Sequence, residues 1–353
     1  MEKGCILITG ANGEIGHGLI RYLAHEGLYK IVALDRSPID DYQKSVDFYK
    51  GDILDKNLID ELNRKYNFTA IFHLAAILST GGEKEPLPAH RVNVEGSLNI
   101  LNLADDQSNR TKTPVVVVFP STIAAYGFAT PEQRIAAGKI DEHRYLDPIT
   151  MYGINKLYIE HLGNYYSTRY RSFEDTPNLT RLDFRCVRLP GIMSSESLPS
   201  GGTSDFGPEM IHAAAQGKPY ECFVTAETRL PFIVMPDGVH SLISISRASR
   251  RSLTKPVYNV GSFSISAGEI RNEVLKYFPK AEITFKPNPK RLAIVDSWPV
   301  DVDDSAARKD WGWRPEFDRE GAFKNYLIPG ITRRYASQRP QQSSPPLQST
   351  DRA

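Results

Sequence analysis

The sequence predicts an α/β protein with a doubly wound parallel sheet and a smaller, interleaved C-terminal domain. Strands that are buried on both faces read as almost uninterrupted apolar runs, and such runs occur at 4–9, 30–34, 70–75, 115–120, 183–188 and 255–261. Amphipathic helical patterns lie between the earlier runs, at about 14–26, 55–66, 91–106 and 150–170. This alternation is typical of a parallel sheet with helices on both faces.

The composition argues against several classes of protein. The chain has 353 residues, 41% hydrophobic and 24% charged, with a formal net charge of +1. This charge balance does not favour binding to nucleic acid. No apolar run reaches the roughly 20 residues that span a bilayer. The 3 cysteines and 8 histidines are scattered, which argues against disulfides and a metal site. A strand pattern begins at Cys5 and leaves no room for a targeting peptide, so a cytoplasmic protein is expected.

The first predicted strand leads into a glycine-rich loop and then a helix. Gly10 allows a tight exit from the strand, Gly13 lets the backbone approach a pyrophosphate, and Gly16 lets the helix pack closely on the strand. Free N–H groups at the start of the helix favour phosphate. The spacing is GxxGxxG and not GxGxxG, but in this context it predicts a Rossmann-type dinucleotide site with contacts from Gly10, Asn12, Gly13, Glu14, Ile15 and Gly16.

The end of the second strand predicts NAD as the cofactor. Asp35 lies 19 residues after Gly16, where a carboxylate accepts hydrogen bonds from the adenosine ribose and repels the 2′-phosphate of NADP. The adjacent Arg36 leaves NADP open as an alternative, because a guanidinium could bind that phosphate. Asp52, at the end of the third strand, is a candidate adenine contact or a turn residue.

Two segments carry candidate catalytic groups. The strand at 115–120 ends in the hydroxyl pair Ser121 and Thr122, at the edge where open α/β sheets bind ligands. Tyr152 and Lys156 are four residues apart on a predicted helix and therefore share one face. A nearby ammonium and an oxidised nicotinamide would have to lower the pKa of the tyrosine from about 10 to roughly 7 for it to act as a base. One hydroxyl of the pair can hold the substrate oxygen during hydride transfer.

These motifs resemble the extended short-chain dehydrogenase/reductase family. Besides the glycine loop, the matching strings are HLAA at 73–76, STIAAYG at 121–127 and YGINK at 152–156. The resemblance implies that Thr122 is the catalytic hydroxyl, with Ser121 beside it. It also implies cofactor contacts from Ile53, Leu74, Ala75, Ala76, Asn93, Tyr152, Lys156, Leu189, Pro190 and Ile192.

The second half of the chain resembles the short-chain L-threonine 3-dehydrogenases within that family. The matching segments are 189–206, 229–237 and 296–313, and the resemblance covers roughly residues 4–330. It implies NAD-dependent oxidation of the β-hydroxyl of L-threonine to 2-amino-3-oxobutanoate, with Tyr152 as general base. The chain departs from the pattern at Ser200, Ser204-Asp205-Phe206, Phe232-Ile233-Val234, the loop 171–181 and the C-terminal tail.

Three alternatives stay open at this point. Several departures lie near the loop expected to close over the substrate, so the enzyme could oxidise a different β-hydroxy-α-amino acid. A nucleotide-sugar epimerase shares the fold, although residues 190–330 offer no clear basic cluster for a diphosphate. A non-enzymatic NAD-sensing module is disfavoured by the intact set of Thr122, Tyr152 and Lys156.

A zwitterionic amino acid needs partners for its carboxylate and its ammonium. The loop at 77–82 offers backbone N–H groups and the Ser79 hydroxyl for the carboxylate. Asp205 could balance the ammonium or cap the helix that follows, and we favour the cap. Trp298 is interpreted as a packing residue. By resemblance, the predicted substrate contacts are Ser79, Gly81, Thr122, Tyr152, Thr203 and Ser204.

Changes in composition and in secondary-structure pattern along the chain predict its domain boundaries. The NAD-binding domain covers 1–189 and 236–262, and the substrate/lid domain covers 190–235 and 263–333. Residues 334–353 are polar and rich in proline, so we expect a disordered tail.

The sequence also suggests a closing loop and a homodimer. Gly201 and Gly202 give the 198–206 loop freedom to close over the substrate. The family commonly forms dimers through a bundle of two helices from each chain, here 91–106 and 150–170. The second helix carries more apolar surface than one sheet face can cover, from Leu157, Tyr158, His161, Leu162, Tyr165 and Tyr166.

Overall fold

A computed structural model describes residues 4–39, 46–173, 179–199 and 202–336. Its strands are β1 Cys5–Thr9, β2 Lys30–Asp35, β3 Val46–Lys50, β4 Phe68–His73, β5 Val116–Thr122, β6 Lys139–Ile140, β7 Asp183–Leu189, β8 Gly191–Met193, β9 Tyr220–Cys222, β10 Arg229–Val234, β11 Val257–Asn259, β12 Phe263–Ser266, β13 Ile283–Phe285 and β14 Asp301–Val302. Its α-helices are α1 Glu14–Glu26, α2 Lys56–Lys65, α3 Ser79–Lys84, α4 Pro86–His90, α5 Gly96–Thr111, α6 Pro131–Ala137, α7 Met151–Thr168, α8 Phe206–Gln216, α9 Met235–Arg247, α10 Ala267–Tyr277, α11 Pro289–Asp296, α12 Ser305–Trp311, α13 Arg319–Gly321 and α14 Ile328–Ala336.

The main sheet has seven parallel strands in the order β11-β7-β5-β4-β1-β2-β3. This confirms the predicted doubly wound α/β fold. The apolar runs had not delimited β3, and its place in the sheet explains why. It is an edge strand with mostly part-exposed side chains, so its sequence VDFYK lacks the continuous apolar character of a central strand.

Alternate residues of each central strand face opposite layers of helices. In β1, Ile6 and Ile8 belong to the apolar layer that includes residues of α1 and α9, whereas Cys5 and Leu7 belong to the layer that includes residues of α2, α5 and α7. All four side chains are nearly fully buried. The two-residue period of a strand therefore fills both layers, which is the reason for its unbroken apolar run.

The second half of the chain adds smaller sheets and a core of its own. Strands β12, β10 and β8 form a mixed sheet, while β13 pairs with β9 and β14 pairs with β6. Their apolar side chains pack with α8 and α10 around Phe206 and Phe232, whose rings are 5.8 Å apart. Ile123 and Ala124, which directly follow β5, belong to this core as well.

The C-terminal helix corrects the predicted start of the tail. Residues 334–336 belong to α14, because Ile331 is fully buried and the Tyr335 hydroxyl lies 2.8 Å from His212 Nδ1. Residues 337–353 lie outside the described residues, as do residues 174–178 of the predicted 171–181 loop. Within the described part of the chain, no helix is long and apolar enough to cross a bilayer.

Candidate active site

A cleft of about 590 Å³ opens at the carboxyl ends of the central strands. It lies where the strand order reverses between β1 and β4, the position at which open α/β sheets bind ligands. The predicted site residues that line it are Gly10, Asn12, Gly13, Glu14, Ile15, Gly16, Asp35, Arg36, Asp52, Ile53, Leu74, Ala75, Ala76, Ser79, Ser121, Thr122, Tyr152, Lys156, Leu189, Pro190, Ile192, Thr203 and Ser204. The fold thus brings residues at or just after the ends of six main strands, and residues of the smaller domain, to one cavity.

The glycine loop has the geometry that a bound pyrophosphate requires. Gly10 adopts a φ of +69°, and a Cβ there would lie 2.6 Å from the Ala75 backbone nitrogen. A Cβ on Gly16 would lie 2.4 Å from the backbone oxygen of Ala11. Gly13 is the N-cap of α1 and has no side chain to accept the first N–H groups of the helix. These groups therefore face the cleft at the positive end of the helix dipole.

Asp35 is fixed by the loop that it faces. Its Oδ2 accepts a hydrogen bond of 3.0 Å from the Asn12 backbone N–H, and its Oδ1 accepts one of 2.9 Å from Ser37 N–H. Each carboxylate oxygen has a second lone pair for a ribose hydroxyl. The Arg36 side chain is exposed at the rim. Asp52 accepts a bond of 3.0 Å from Leu54 N–H, as a turn residue does, and also lines the cleft.

Tyr152, Lys156 and Thr122 meet in the centre of the cleft. The Thr150 hydroxyl accepts a 3.1 Å bond from Gly153 N–H and so caps the helix that carries both Tyr152 and Lys156. The Tyr152 hydroxyl faces the Thr122 side chain, which favours the ionised form of the tyrosine. Lys156 donates a bond of 2.7 Å to the Pro120 carbonyl, and its Nζ lies 5.6 Å from the centre of the Tyr152 ring.

Burial dominates the protonation of this pair in the free protein. It raises the pKa of Tyr152 above its ordinary value, and the neighbouring Thr122 side chain offsets this only in part. It lowers the pKa of Lys156 to about 8, against the opposing effects of Cys186 and Glu160. The lowering expected from the ammonium and the oxidised nicotinamide together stays a prediction, because in the free protein loss of solvation dominates the pKa of the tyrosine.

Of the two hydroxyls expected at the reacting centre, that of Ser121 is bonded elsewhere. Its hydroxyl donates a 2.5 Å bond to Glu160 Oε1, and Ser121 is 3% exposed. Thr122 is therefore the hydroxyl of the pair that is directed at Tyr152. We had not singled out Glu160 or its partner Arg188. The sequence signal was available, because Glu160 follows Lys156 by four residues on the same helix face.

Asn93 and Gly81 are the two predicted site residues that the structure places away from the cleft. The Asn93 amide accepts a 2.7 Å bond from Ile77 N–H and donates one of 3.0 Å to the Ile77 carbonyl. Both ends of the amide therefore hold the loop before α3, and Asn93 supports the cleft wall from behind. Gly81 lies within α3, and a Cβ there would meet the Ile77 side chain at 3.0 Å.

The substrate end of the cleft joins distant segments. The hydroxyls of Ser79 and Thr203 are 3.1 Å apart. Arg291 donates a 2.9 Å bond to the Gly202 carbonyl, and Asp205 accepts a 2.6 Å bond from Gly202 N–H. The preferred role of Asp205 as a helix cap is wrong, since its side chain turns back to Gly202 and gives α8 no cap bond among the described residues. Sequence reasoning missed Arg291.

Trp298 lines the cleft and packs in the smaller domain's core as well. Its backbone carbonyl accepts a 2.5 Å bond from Nε of the buried Arg134, whose guanidinium also contacts Asp296. Arg134 was not singled out from the sequence.

Most departures from the family pattern lie away from the cavity. Phe206, Phe232 and Val234 are fully buried in the smaller domain's core. Ser204 lines the cleft, and Ser200 lies outside the described residues. The described residues contain no group of His, Cys, Asp or Glu arranged to hold a metal.

Comparison with known proteins places this cleft in a family. Residues 6–261 match the NAD dependent epimerase/dehydratase family. The chain belongs to that family. It is 36% identical to the mitochondrial L-threonine 3-dehydrogenase of Bos taurus over 315 residues, which are 89% of this chain and 79% of that protein. The family and these relatives show a dehydrogenase of the extended short-chain class that uses a nicotinamide cofactor.

Solved structures of threonine dehydrogenases share the whole architecture. The L-threonine dehydrogenase of Clostridium difficile aligns with a TM-score of 0.82 and 29% identity, over 95% of this chain and 99% of that one. A monomeric L-threonine 3-dehydrogenase from a metagenome database aligns with a TM-score of 0.80 and 33% identity, over 93% and 99%. The smaller domain is therefore shared together with the main sheet.

Proposed function

We propose that the protein oxidises the β-hydroxyl of L-threonine to 2-amino-3-oxobutanoate, with NAD as hydride acceptor and Tyr152 as general base. The observation that carries this proposal is that Thr122, Tyr152 and Lys156 meet in one cleft with the glycine loop, with Lys156 Nζ 5.6 Å from the centre of the Tyr152 ring. The similarity to threonine dehydrogenases supports the substrate.

The residues divide the reaction among them. Thr122 holds the substrate β-oxygen, and Tyr152 takes the proton from that oxygen. The C–H electron pair at the β-carbon leaves as hydride, and a ketone forms. The oxidised nicotinamide, when bound, accepts the hydride and adds a positive charge that favours the tyrosinate. The Lys156 ammonium acts in the same direction, since a nearby positive charge lowers the pKa of a tyrosine.

The carboxylate and the ammonium of the substrate would bind at the end of the cleft near Ser79 and Thr203. Ser79 and Thr203, with hydroxyls 3.1 Å apart, offer donors for the carboxylate. Asp205 lines the cleft without capping α8 and supplies a negative charge for the ammonium. Closure of the 198–206 loop would hold these groups on the substrate and exclude water. Ser200 and Gly201 of this loop lie outside the described residues.

NAD is the preferred cofactor in this proposal. The Asp35 carboxylate is oriented by two backbone N–H groups at the place where the adenosine ribose would lie. A 2′-phosphate there would meet a fixed negative charge. Arg36 is exposed at the rim, where solvent screens it.

A homodimer is also part of the proposal. Leu98 of α5 and Ile154, Tyr158 and Tyr165 of α7 are between 36% and 52% exposed. Tyr166 does not belong to this surface, because it is buried and donates a bond to Asn102 Oδ1. Light scattering of the protein and of Tyr158→Glu tests the dimer, and equal, monomeric masses would contradict it. One similar structure is described as monomeric. The cytoplasmic location stays a prediction.

A substrate screen tests the reaction. We expect NADH formation, followed by absorbance, to be fastest with L-threonine among L-threonine, D-threonine, L-allo-threonine, L-serine and a bulkier β-hydroxy amino acid. Tyr152→Phe serves as the control for contaminating activity. A clear preference for another amino acid would replace the substrate, and no NADH with any of them would overturn the proposal.

A further inference from the structure

A cluster of buried polar and charged side chains lies one helical turn beyond Lys156. It consists of Glu160 on α7, Arg188 on β7 and Ser121 on β5, each 3% exposed or less. Glu160 Oε1 accepts bonds of 2.5 Å from the Ser121 hydroxyl and 2.9 Å from Arg188 Nε, and its Oε2 accepts one of 2.6 Å from Arg188 Nη2. The pair is bidentate, which gives it a defined orientation as well as strength.

The cluster ties the catalytic helix to the sheet beside the reacting groups. Ser121 and Arg188 are register partners on the parallel strands β5 and β7, so both side chains meet Glu160 at one level of the sheet. Thr122 is the next residue of β5, and Lys156 is one turn earlier on α7. A shift of the helix along or about its axis would break the three bonds to Glu160 and move Tyr152 relative to Thr122.

The cluster also sets the charge around the Lys156 ammonium. The titratable groups that face it are Tyr152 and Glu160 on its own helix, His73 on β4, and Cys186 and Arg188 on β7. Burial lowers the pKa of His73 to about 3, so its ring is neutral. Burial raises the pKa of the Cys186 thiol well above its usual value, so the thiol is neutral too. Glu160 is therefore the anion among these groups.

Burial disfavours the protonated form of Lys156, and the negative charge of Glu160 partly offsets that effect. Burial lowers the pKa of Lys156 to about 8, while Cys186 and Glu160 act to raise it. Because the Cys186 thiol is neutral, the charge that raises it near neutral pH is that of Glu160. Lys156 Nζ has a neutral acceptor in the Pro120 carbonyl at 2.7 Å and the Phe119 ring at 4.2 Å. Neither of these carries the full negative charge that a buried ammonium needs.

We propose that Glu160 is a positioning residue for the reaction, which holds the catalytic helix in register with Thr122 and keeps the Lys156 ammonium protonated. Arg188 orients the Glu160 carboxylate, and its own outer nitrogen Nη1 is occupied by the Glu142 carbonyl at 2.9 Å. The kinetic consequence of this proposal rests on the proposed function. The charge on Lys156 does not, and it can be measured without substrate.

The direct test is the titration of Lys156 in the full-length protein. In protein labelled with ¹³C at lysine Cε, the Lys156 signal is the one that is lost in Lys156→Ala. We expect Glu160→Gln to lower the pH at which this signal titrates by at least about one pH unit, because the substitution removes the nearby negative charge and leaves the shape. An unchanged titration of Lys156 in Glu160→Gln would overturn the proposal.

Asp183→Asn is the matched control. Asp183 is also a buried carboxylate on β7, bonded to Arg185 at 2.7 Å, but it begins the strand at the edge away from the cleft. Both substitutions should lower the melting temperature, whereas only Glu160→Gln should move the Lys156 titration. An equal shift in Asp183→Asn would also overturn the proposal, since it would show a general effect of stability.

Kinetics then connect the charge to the reaction. Since Lys156 must be protonated, the alkaline limb of kcat should move to lower pH in Glu160→Gln, and kcat at pH 9 should be about tenfold below that of the unsubstituted protein at the same pH. If Glu160→Gln fails to fold, Glu160→Gln with Arg188→Met removes both buried charges, a change that cores tolerate better than one unpaired charge. A lowering in the same direction but smaller is expected in that double variant, because the Arg188 charge that repels the Lys156 ammonium is removed together with the Glu160 charge that attracts it. No lowering would contradict the role of Glu160.

Discussion

The two ends of the cleft differ in how they are built. At the cofactor end, the loop from Gly10 to Gly16 is one continuous stretch, and its shape depends on backbone that a Cβ would obstruct. At the substrate end, side chains from distant segments meet: Ser79 and Thr203 are 124 residues apart in the chain, and Gly202 and Arg291 are 89 apart. Local sequence therefore specifies the first end, whereas the second exists only once the whole chain has folded.

This difference predicts that substitutions at the two ends affect different constants. A change at the cofactor end should weaken NAD binding. A change at the substrate end should raise KM for threonine and leave NAD binding as it was.

Gly16→Ala should weaken NAD binding by roughly 30-fold or more, since forcing a methyl group into packed structure costs about 2–3 kcal/mol. The added Cβ would lie 2.4 Å from the Ala11 carbonyl oxygen, which is backbone and cannot rotate away. Gly207→Ala is the control in the smaller domain, because its Cβ would meet side-chain atoms and no backbone, with Met193 Cε at 2.5 Å and Ile270 Cδ1 at 3.3 Å. Calorimetry of NAD binding separates the two, and equal affinities would contradict the role assigned to the loop.

Asp35→Asn should change the ratio of kcat/KM for NAD over NADP by roughly 20-fold, within the range of about 1.5–3 kcal/mol for a hydrogen bond to a charged group. The amide retains an acceptor for the Asn12 N–H but no longer repels a 2′-phosphate. Adding Arg36→Ala to Asp35→Asn should lower the gain in NADP use. If the ratio stays constant in Asp35→Asn, the carboxylate does not choose the cofactor.

Thr203→Val should raise KM for L-threonine about fivefold to tenfold, the range for one lost hydrogen bond of about 1 kcal/mol. Valine has the shape of threonine without the hydroxyl that lies 3.1 Å from Ser79. Thr228→Val is matched to it, since Thr228 also forms a hydroxyl pair, with Thr225 at 3.0 Å, but does not line the cleft. NAD affinity should be unchanged in both, and a loss in Thr203→Val would mean that the two ends are not separable.

The sequence predicted the main sheet because buried parallel strands have an unmistakable apolar pattern. It also predicted the glycine loop, Asp35 and the Tyr152–Lys156 pair, which need only neighbouring residues and the period of a helix. The edge strand β3 and the short strands of the smaller domain were harder to predict, since short strands with exposed residues show little of the apolar pattern of a buried strand.

The errors at the site share one physical cause. Asn93, Ser121 and Asp205 each carry a polar side chain that the fold turns to a different partner from the one expected: Ile77, Glu160 and Gly202 respectively. A polar group bonds whatever the tertiary structure brings to it, so residue type alone does not identify the partner. The raised pKa of Tyr152 has a similar origin, because burial is a property of the folded chain.

The central claim is that Tyr152 performs proton transfer in a cleft whose cofactor end is independent of it. Tyr152→Phe removes one hydroxyl and keeps the ring. With L-threonine and NAD, its kcat should fall by at least about a hundredfold, the scale for loss of a general base. The dissociation constant of NAD, measured by calorimetry on the same preparation, should stay within about twofold, since the dinucleotide loop is untouched. Near-normal turnover in Tyr152→Phe would contradict the claim.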